Sequence, residues 1–95
     1  MTTAADRLVV PPSTGWVQWG DTVYPAALPD GPPLVLTGPG AVVWNAVVEG
    51  GTLAEVVERV AARVGQPVEE VAPGVEEFVA GLVAAGVVAR QASAR

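Results

Sequence analysis

Apolar positions along this chain change their spacing twice. Between residues 16 and 24 they come in two short β-prone runs, Trp16-Val17-Gln18-Trp19 and Thr22-Val23-Tyr24, separated by Gly20-Asp21. A Gly-Asp pair between such runs predicts a two-residue hairpin turn, because glycine reaches positive φ without steric cost. That turn sets Trp19 opposite Thr22 and Val17 opposite Tyr24 on one face. Trp16 and Gln18 fall on the other face, near Pro25 and Val23. Proline cannot donate to a ladder, so the second strand is expected to stop or bulge at Pro25. A second turn, Pro29-Asp30-Gly31-Pro32-Pro33, leads into Leu34-Val35-Leu36-Thr37, which reads as a third strand and completes an antiparallel meander.

Beyond residue 38 the spacing becomes helical. Pro39 suits a first helical turn, and Thr37 stands where a cap belongs. A helix over 41–48 places Val43, Trp44, Val47 and Val48 at helical spacing, and Gly50-Gly51 ends it. Thr52-Leu53-Ala54-Glu55 is a capping-box pattern, in which each side chain satisfies the other residue's free backbone N–H. The helix it opens carries one apolar stripe: Leu53, Val56, Val57, Val60 and Val64. Acids precede bases along it, as the helix dipole favours, and Glu55 and Arg59 are spaced to pair at i,i+4. Gly65 and Pro67 close it. A third helix is expected over 73–85, with a separate turn at 68–71 and a stripe of Val75, Phe78, Val79, Leu82 and Val83. Gly86 stops it, and 87–89 returns as a short strand. The expected organisation is a flexible N-terminal tail (1–14), one domain (15–89) and a C-terminal tail (90–95). Within the first tail, Leu8-Val9-Val10 gives only a weak strand pattern. Trp44 reads as core. A sheet this small cannot bury both faces, so one of Trp16 and Trp19 should remain partly exposed.

Composition narrows the chemistry sharply. Half of the 95 residues (51%) are hydrophobic, which suffices for one small core. No apolar run approaches the roughly 18–20 residues of a membrane helix, and the start lacks a basic segment followed by an apolar one. A cytoplasmic location and no membrane partner are therefore expected. With no Cys and no His, no disulfide, thiolate or imidazole chemistry is available. Neither a metal site nor a cofactor is expected, because the acids are scattered or adjacent, as in Glu69-Glu70 and Glu76-Glu77, and read as a solvated face. Ser13 and Ser93 have no base near them in sequence, so no catalytic residue is assigned. The net charge is −5, with five Arg and no Lys. Nucleic-acid affinity comes mainly from clustered cations that neutralise phosphates, and this chain has no such cluster.

The ordered set Leu34-Val35-Leu36, Thr37-Gly38-Pro39-Gly40, Ala41, Val43-Trp44, Gly50 and Thr52-Leu53-Ala54-Glu55 resembles the PqqD-like family of RiPP recognition elements. The ending resembles it too, with Val75, Phe78-Val79, Leu82 and Gly86-Val87-Val88; together these span roughly residues 16–89. The chain departs from the family where Thr37 stands in place of a frequent Asn, and where Gly74 stands in place of a frequent acid. The resemblance implies an α+β, winged-helix-like domain in which a three-stranded antiparallel sheet is followed by three helices. It implies a binding module that takes the leader segment of a ribosomally made precursor peptide and presents it to a maturation enzyme, such as a leader peptidase or a radical SAM enzyme. The family serves several product classes, among them lasso peptides, radical-made peptides, thioether peptides and a quinone cofactor. The leader adds as a further strand, so Leu34, Val35, Leu36 and Thr37 are expected as the docking edge. Val75, Phe78, Val79 and Leu82 are expected to line the groove. Strand addition is sound on physical grounds as well, since an edge strand offers unpaired N–H and C=O groups to an extended peptide. The same four helix residues would equally serve as an ordinary core stripe.

Two other functions fit the same pattern. A DNA-binding winged helix would use 73–85 as its recognition helix, yet that stretch carries Glu76 and Glu77 and no cation. An assembly subunit that binds a partner protein and no peptide is the other.

Overall fold

The computed structural model describes residues 6–91. Its elements run β1 (Arg7–Val9), β2 (Thr14–Trp19), β3 (Thr22–Ala27), α1 (Pro39–Val48), α2 (Leu53–Val64), α3 (Val68–Ala84) and β4 (Ala89–Gln91). The strands form two separate antiparallel pairs, β2 with β3 and β1 with β4. The architecture is thus α+β with three helices. Two small sheets replace the single three-stranded sheet on which the winged-helix expectation rested.

The hairpin has the expected register, with Trp19 opposite Thr22, Val17 opposite Tyr24 and Trp16 opposite Pro25. Gly20 turns the chain at φ 62°. β3 does not stop at Pro25 but continues to Ala27. The reason is strand alternation. Val23 and Pro25 direct their backbone groups away from β2, so the N–H that proline lacks is not one that β2 needs. The absence is felt on the other side, where residues 34–36 lie along β3. Val23 and Leu36 exchange N–H···O bonds of 2.9 and 2.8 Å, and the Leu34 N–H donates to the Pro25 carbonyl at 2.8 Å. Pro25 cannot return a bond, and Pro32 and Pro33 have no N–H with which to extend the ladder. Pairing shrinks to the Val23–Leu36 bridge, and the predicted third strand becomes an extended segment docked on β3.

The terminal expectations change too. β1 lies inside the stretch read as a tail, with Leu8 buried and its N–H donating to the Gly51 carbonyl at 2.8 Å. β4 pairs with it on the other side, Arg7 opposite Gln91, Leu8 opposite Arg90 and Val9 opposite Ala89. The returning strand therefore comes at Ala89–Gln91, while Val87 and Val88, expected within it, enter the core.

Among the helices, α1 begins at Pro39 with Gly38 as its cap. Thr37 contributes only its carbonyl, which accepts from the Gly40 N–H at 3.1 Å. In α2 the capping box forms as read: Glu55 N–H to Thr52 Oγ1 at 3.2 Å, and Thr52 N–H to Glu55 Oε1 at 2.9 Å. That engagement takes Glu55 away from Arg59. Arg59 turns instead to the end of α1, donating to the carbonyls of Ala46 and Gly50 and pairing with Glu49 at 3.4 Å. Those carbonyls lie at or just past the C-terminus of α1, where intrahelical donors run out. α3 is a single helix of 17 residues from Val68, not a turn followed by a helix. Pro73 lies inside it on the exposed side. Water can reach the Glu69 carbonyl that the proline leaves unpaired, and the buried stripe of Val75, Val79 and Leu82 carries the helix through.

The core draws on β1, β3, the three helices, Leu36 and the Val87-Val88 pair. Trp44 is fully buried at its centre and meets Trp16 of β2 edge to face, with ring centroids 5.5 Å apart. Its indole N–H has no partner among the described residues. An unpaired donor costs about 1–3 kcal/mol, whereas burying roughly 200 Å² of aromatic surface contributes about 5 kcal/mol. Packing wins. Thr14 Oγ1 donates to the Val87 carbonyl at 3.2 Å, tying the hairpin to the C-terminal segment.

Candidate functional site

The segment 34–36 and helix α3 form two walls of an open cleft of about 520 Å³. One wall holds Leu34, Val35 and Leu36; the other holds Gly74, Glu77, Phe78, Gly81, Leu82 and Ala85. The segment's backbone explains why the cleft has a polar border. Leu34 and Leu36 use their N–H groups on β3, so alternation turns those of Val35 outward. Neither the N–H nor the carbonyl of Val35 has a partner among the described residues, and the Thr37 N–H has none either. This border lies along an otherwise apolar trough.

The structure brings together Leu34, Val35, Leu36, Phe78 and Leu82 from the residues expected at the site. It places the others elsewhere. Val79 is fully buried in the core, and Thr37 is exposed outside the cleft lining. Val75 faces a second cavity of about 350 Å³ at the junction of the three helices, among Val43, Val60, Val64 and Val71. Phe78 and Gly74 line both spaces. Phe78 is therefore the partition between them. Gly40 lets it lie against α1, since a Cβ there would stand 3.0 Å from Phe78 Cζ.

Gly74, Glu77, Gly81 and Ala85 were not singled out from the sequence as groove residues. Their helical spacing puts them on one face with Phe78, but small and charged residues leave no hydrophobic signature to mark such a face. Glu77 is the one charged side chain in the cleft lining, and it forms no ion pair among the described residues. No arginine lines the cleft. Arg59 and Arg63 are held at Glu49, whose carboxyl sits below its ordinary pKa chiefly because Arg63 donates a hydrogen bond to it; the charges of Arg63 and Arg59 add to the effect and partial desolvation opposes it. Arg7 and Arg90 lie on the β1–β4 sheet.

A second apolar surface covers the outer face of the hairpin. Val17 and Trp19 are 64% and 82% exposed there, and Tyr24 stands beside them. The partly exposed tryptophan anticipated from the sequence is thus chiefly Trp19.

The cleft's chemistry is hydrocarbon, one carboxylate and a strip of backbone. Such a surface can hold an extended apolar chain by its main chain and side chains. Among the described residues no helix is long and apolar enough to cross a membrane. The family model for coenzyme PQQ synthesis protein D (PqqD) matches residues 30–88, a span that contains both walls of the cleft. No curated protein and no solved structure matches the chain.

Proposed function

Because the chain belongs to the PqqD family, we propose that it is a stand-alone recognition element that binds the leader segment of a ribosomal precursor peptide by strand addition. The unpaired Val35 N–H and carbonyl, beside an apolar trough closed by α3, are the observation that carries this reading. An extended leader would bond to Val35 and set alternate side chains against Phe78 and Leu82. The domain works without catalysis of its own, as a cytoplasmic carrier that presents the leader to a maturation enzyme such as a leader peptidase or a radical SAM enzyme. The exposed hairpin face around Trp19 favours such a second protein partner. DNA binding has the weaker support, since α3 carries Glu69, Glu70, Glu76 and Glu77 and no cation.

Titration calorimetry of the whole chain against the synthetic leader of a candidate ribosomal precursor from the same genome tests the proposal. The expected affinity is about micromolar or tighter, near −8 kcal/mol. Absence of binding overturns the reading.

A further inference from the structure

This chain has eleven glycines, and most have an internal reason to be glycine. Six hold positive φ. At three more, Gly15, Gly31 and Gly40, an added Cβ would come within 2.5–3.0 Å of a neighbour. Gly74 and Gly81 differ from all of these. Both lie inside α3, neither holds positive φ, and a Cβ on either would meet nothing within 4 Å. Glycine is the poorest residue for a helix interior after proline, so the fold alone favours alanine at both positions. Both line the cleft.

We propose that Gly74 and Gly81 are peptide-contact positions, left bare so that two bulky apolar side chains of the bound segment pack directly on the α3 surface, and that Glu77 between them selects a basic residue in that segment. The inference rests on the strand-addition reading and specifies the chemistry of the peptide that reading requires. The two glycines are two helical turns apart, about 10.5 Å; side chains on one face of an extended chain repeat at about 7 and 13 Å, so anchors four residues apart come nearest and keep the residue midway between them on that same face. Glu77 falls midway as the lone charge of the lining, with no cation beside it. The chain as a whole carries a net charge of −5. A basic peptide is steered toward such a surface and an acidic one is turned away. The occupant is therefore an apolar segment with a basic residue between its two anchors.

The test uses the whole chain and the same synthetic leader peptide, with affinity and thermal midpoint measured together. Gly74→Ala and Gly81→Ala should each raise the midpoint by about 4 °C, as a better helix former does in a small domain. Each should at the same time weaken binding by about fivefold or more, as an overfilled contact does. Glu77→Lys should weaken binding by about tenfold, and changing the peptide's basic residue to Glu should restore it. A purely structural role for the glycines would not move stability and affinity in opposite directions. If the wild-type chain binds no leader, strand addition itself fails. If it binds but the alanine variants bind equally well, or Glu77→Lys has no effect or shows no rescue by the charge-swapped peptide, the assignment of the α3 surface is overturned while strand addition stands.

Discussion

Replacing Val35 and Leu36 by proline, one at a time, separates a border that serves a ligand from one that serves the fold. The two residues are neighbours with opposite orientations. The Val35 N–H has no internal partner and its side chain is 64% exposed. Leu34 before it already lies extended along β3, the conformation that a following proline requires. Val35→Pro should therefore change stability by no more than about 0.5 kcal/mol. Its effect on the peptide is larger. One strand hydrogen bond is lost, worth about 1 kcal/mol net, and a peptide carbonyl left facing the proline ring raises the cost toward about 3 kcal/mol. Binding should weaken by roughly 5- to 150-fold. Leu36→Pro removes instead the 2.8 Å bond to the Val23 carbonyl and a side chain that is only 7% exposed. The stranded acceptor and the emptied core position together cost about 4 kcal/mol, close to the whole stability of a marginal domain. Urea denaturation and titration calorimetry on both variants provide the readout. If Val35→Pro unfolds the domain as readily as Leu36→Pro, or if it binds the leader as tightly as wild type, the free border does not serve strand addition.

Three further outcomes follow from the same geometry. Phe78→Ala should destabilise the domain by about 2 kcal/mol in denaturant titration, less than a fully buried phenylalanine would, and should weaken leader binding because it merges the cleft with the inter-helix cavity. Thr52→Ala should lower stability by about 1 kcal/mol through loss of the α2 cap, with leader affinity unchanged in calorimetry; a loss of affinity without a loss of stability would contradict the purely structural role of the capping box. Glu49→Gln should lower the thermal midpoint at neutral pH. Glu49's folded pKa lies below its ordinary 4.5, so its stabilisation is present above that value and fades as pH falls through the lowered folded one. Midpoints of wild type and variant measured against pH should converge below about pH 4.5, and a gap that persists in acid would refute the Arg63–Glu49 account.

The local elements of this chain were easier to read than the way they close. Hairpin register, the α2 capping box and the glycine stop at Gly65 each depend on residues within a few positions of one another, and local chemistry decides them. The sheet count depends on a longer-range condition. Whether residues 34–37 become a strand turns on which side of β3 the Pro25 nitrogen faces, and that orientation is set by the hairpin register rather than by the segment's own composition. β1 was obscured for a similar reason: the three residues Arg7–Val9 become a strand only because β4 and Gly51 lie alongside. In α3, Pro73 reads as a start because proline is common there; Val71 and Ala72, partly buried against the core in the turn before it, outweigh that preference. At the site, the apolar stripe announced Phe78 and Leu82 but could not say which stripe residues face inward. Val79 points to the core and Val75 to the second cavity, because α3 packs on α1 and α2 along one side and meets segment 34–36 along another.

The geometry also bears on where the affinity for a peptide must come from. The receptive border is short: prolines at 32 and 33 precede it, and α1 begins at Pro39. Val35 offers a donor and an acceptor, and Thr37 adds a donor. Three strand bonds contribute about 3 kcal/mol net, well short of the roughly 8 kcal/mol of a micromolar complex, before the loss of translational and rotational freedom is counted. Side chains in the cleft must supply the larger part. A border of this length is also a poor template for indiscriminate sheet growth, since a chain that brings only its backbone gains too little to stay. On the strand-addition proposal, recognition on this surface would therefore be led by side chains, with the main chain fixing direction and register. Alanine substitution along a bound leader should find one or two positions that dominate the affinity and several that hardly matter. An even loss spread over every position would mean that the main chain is the principal grip.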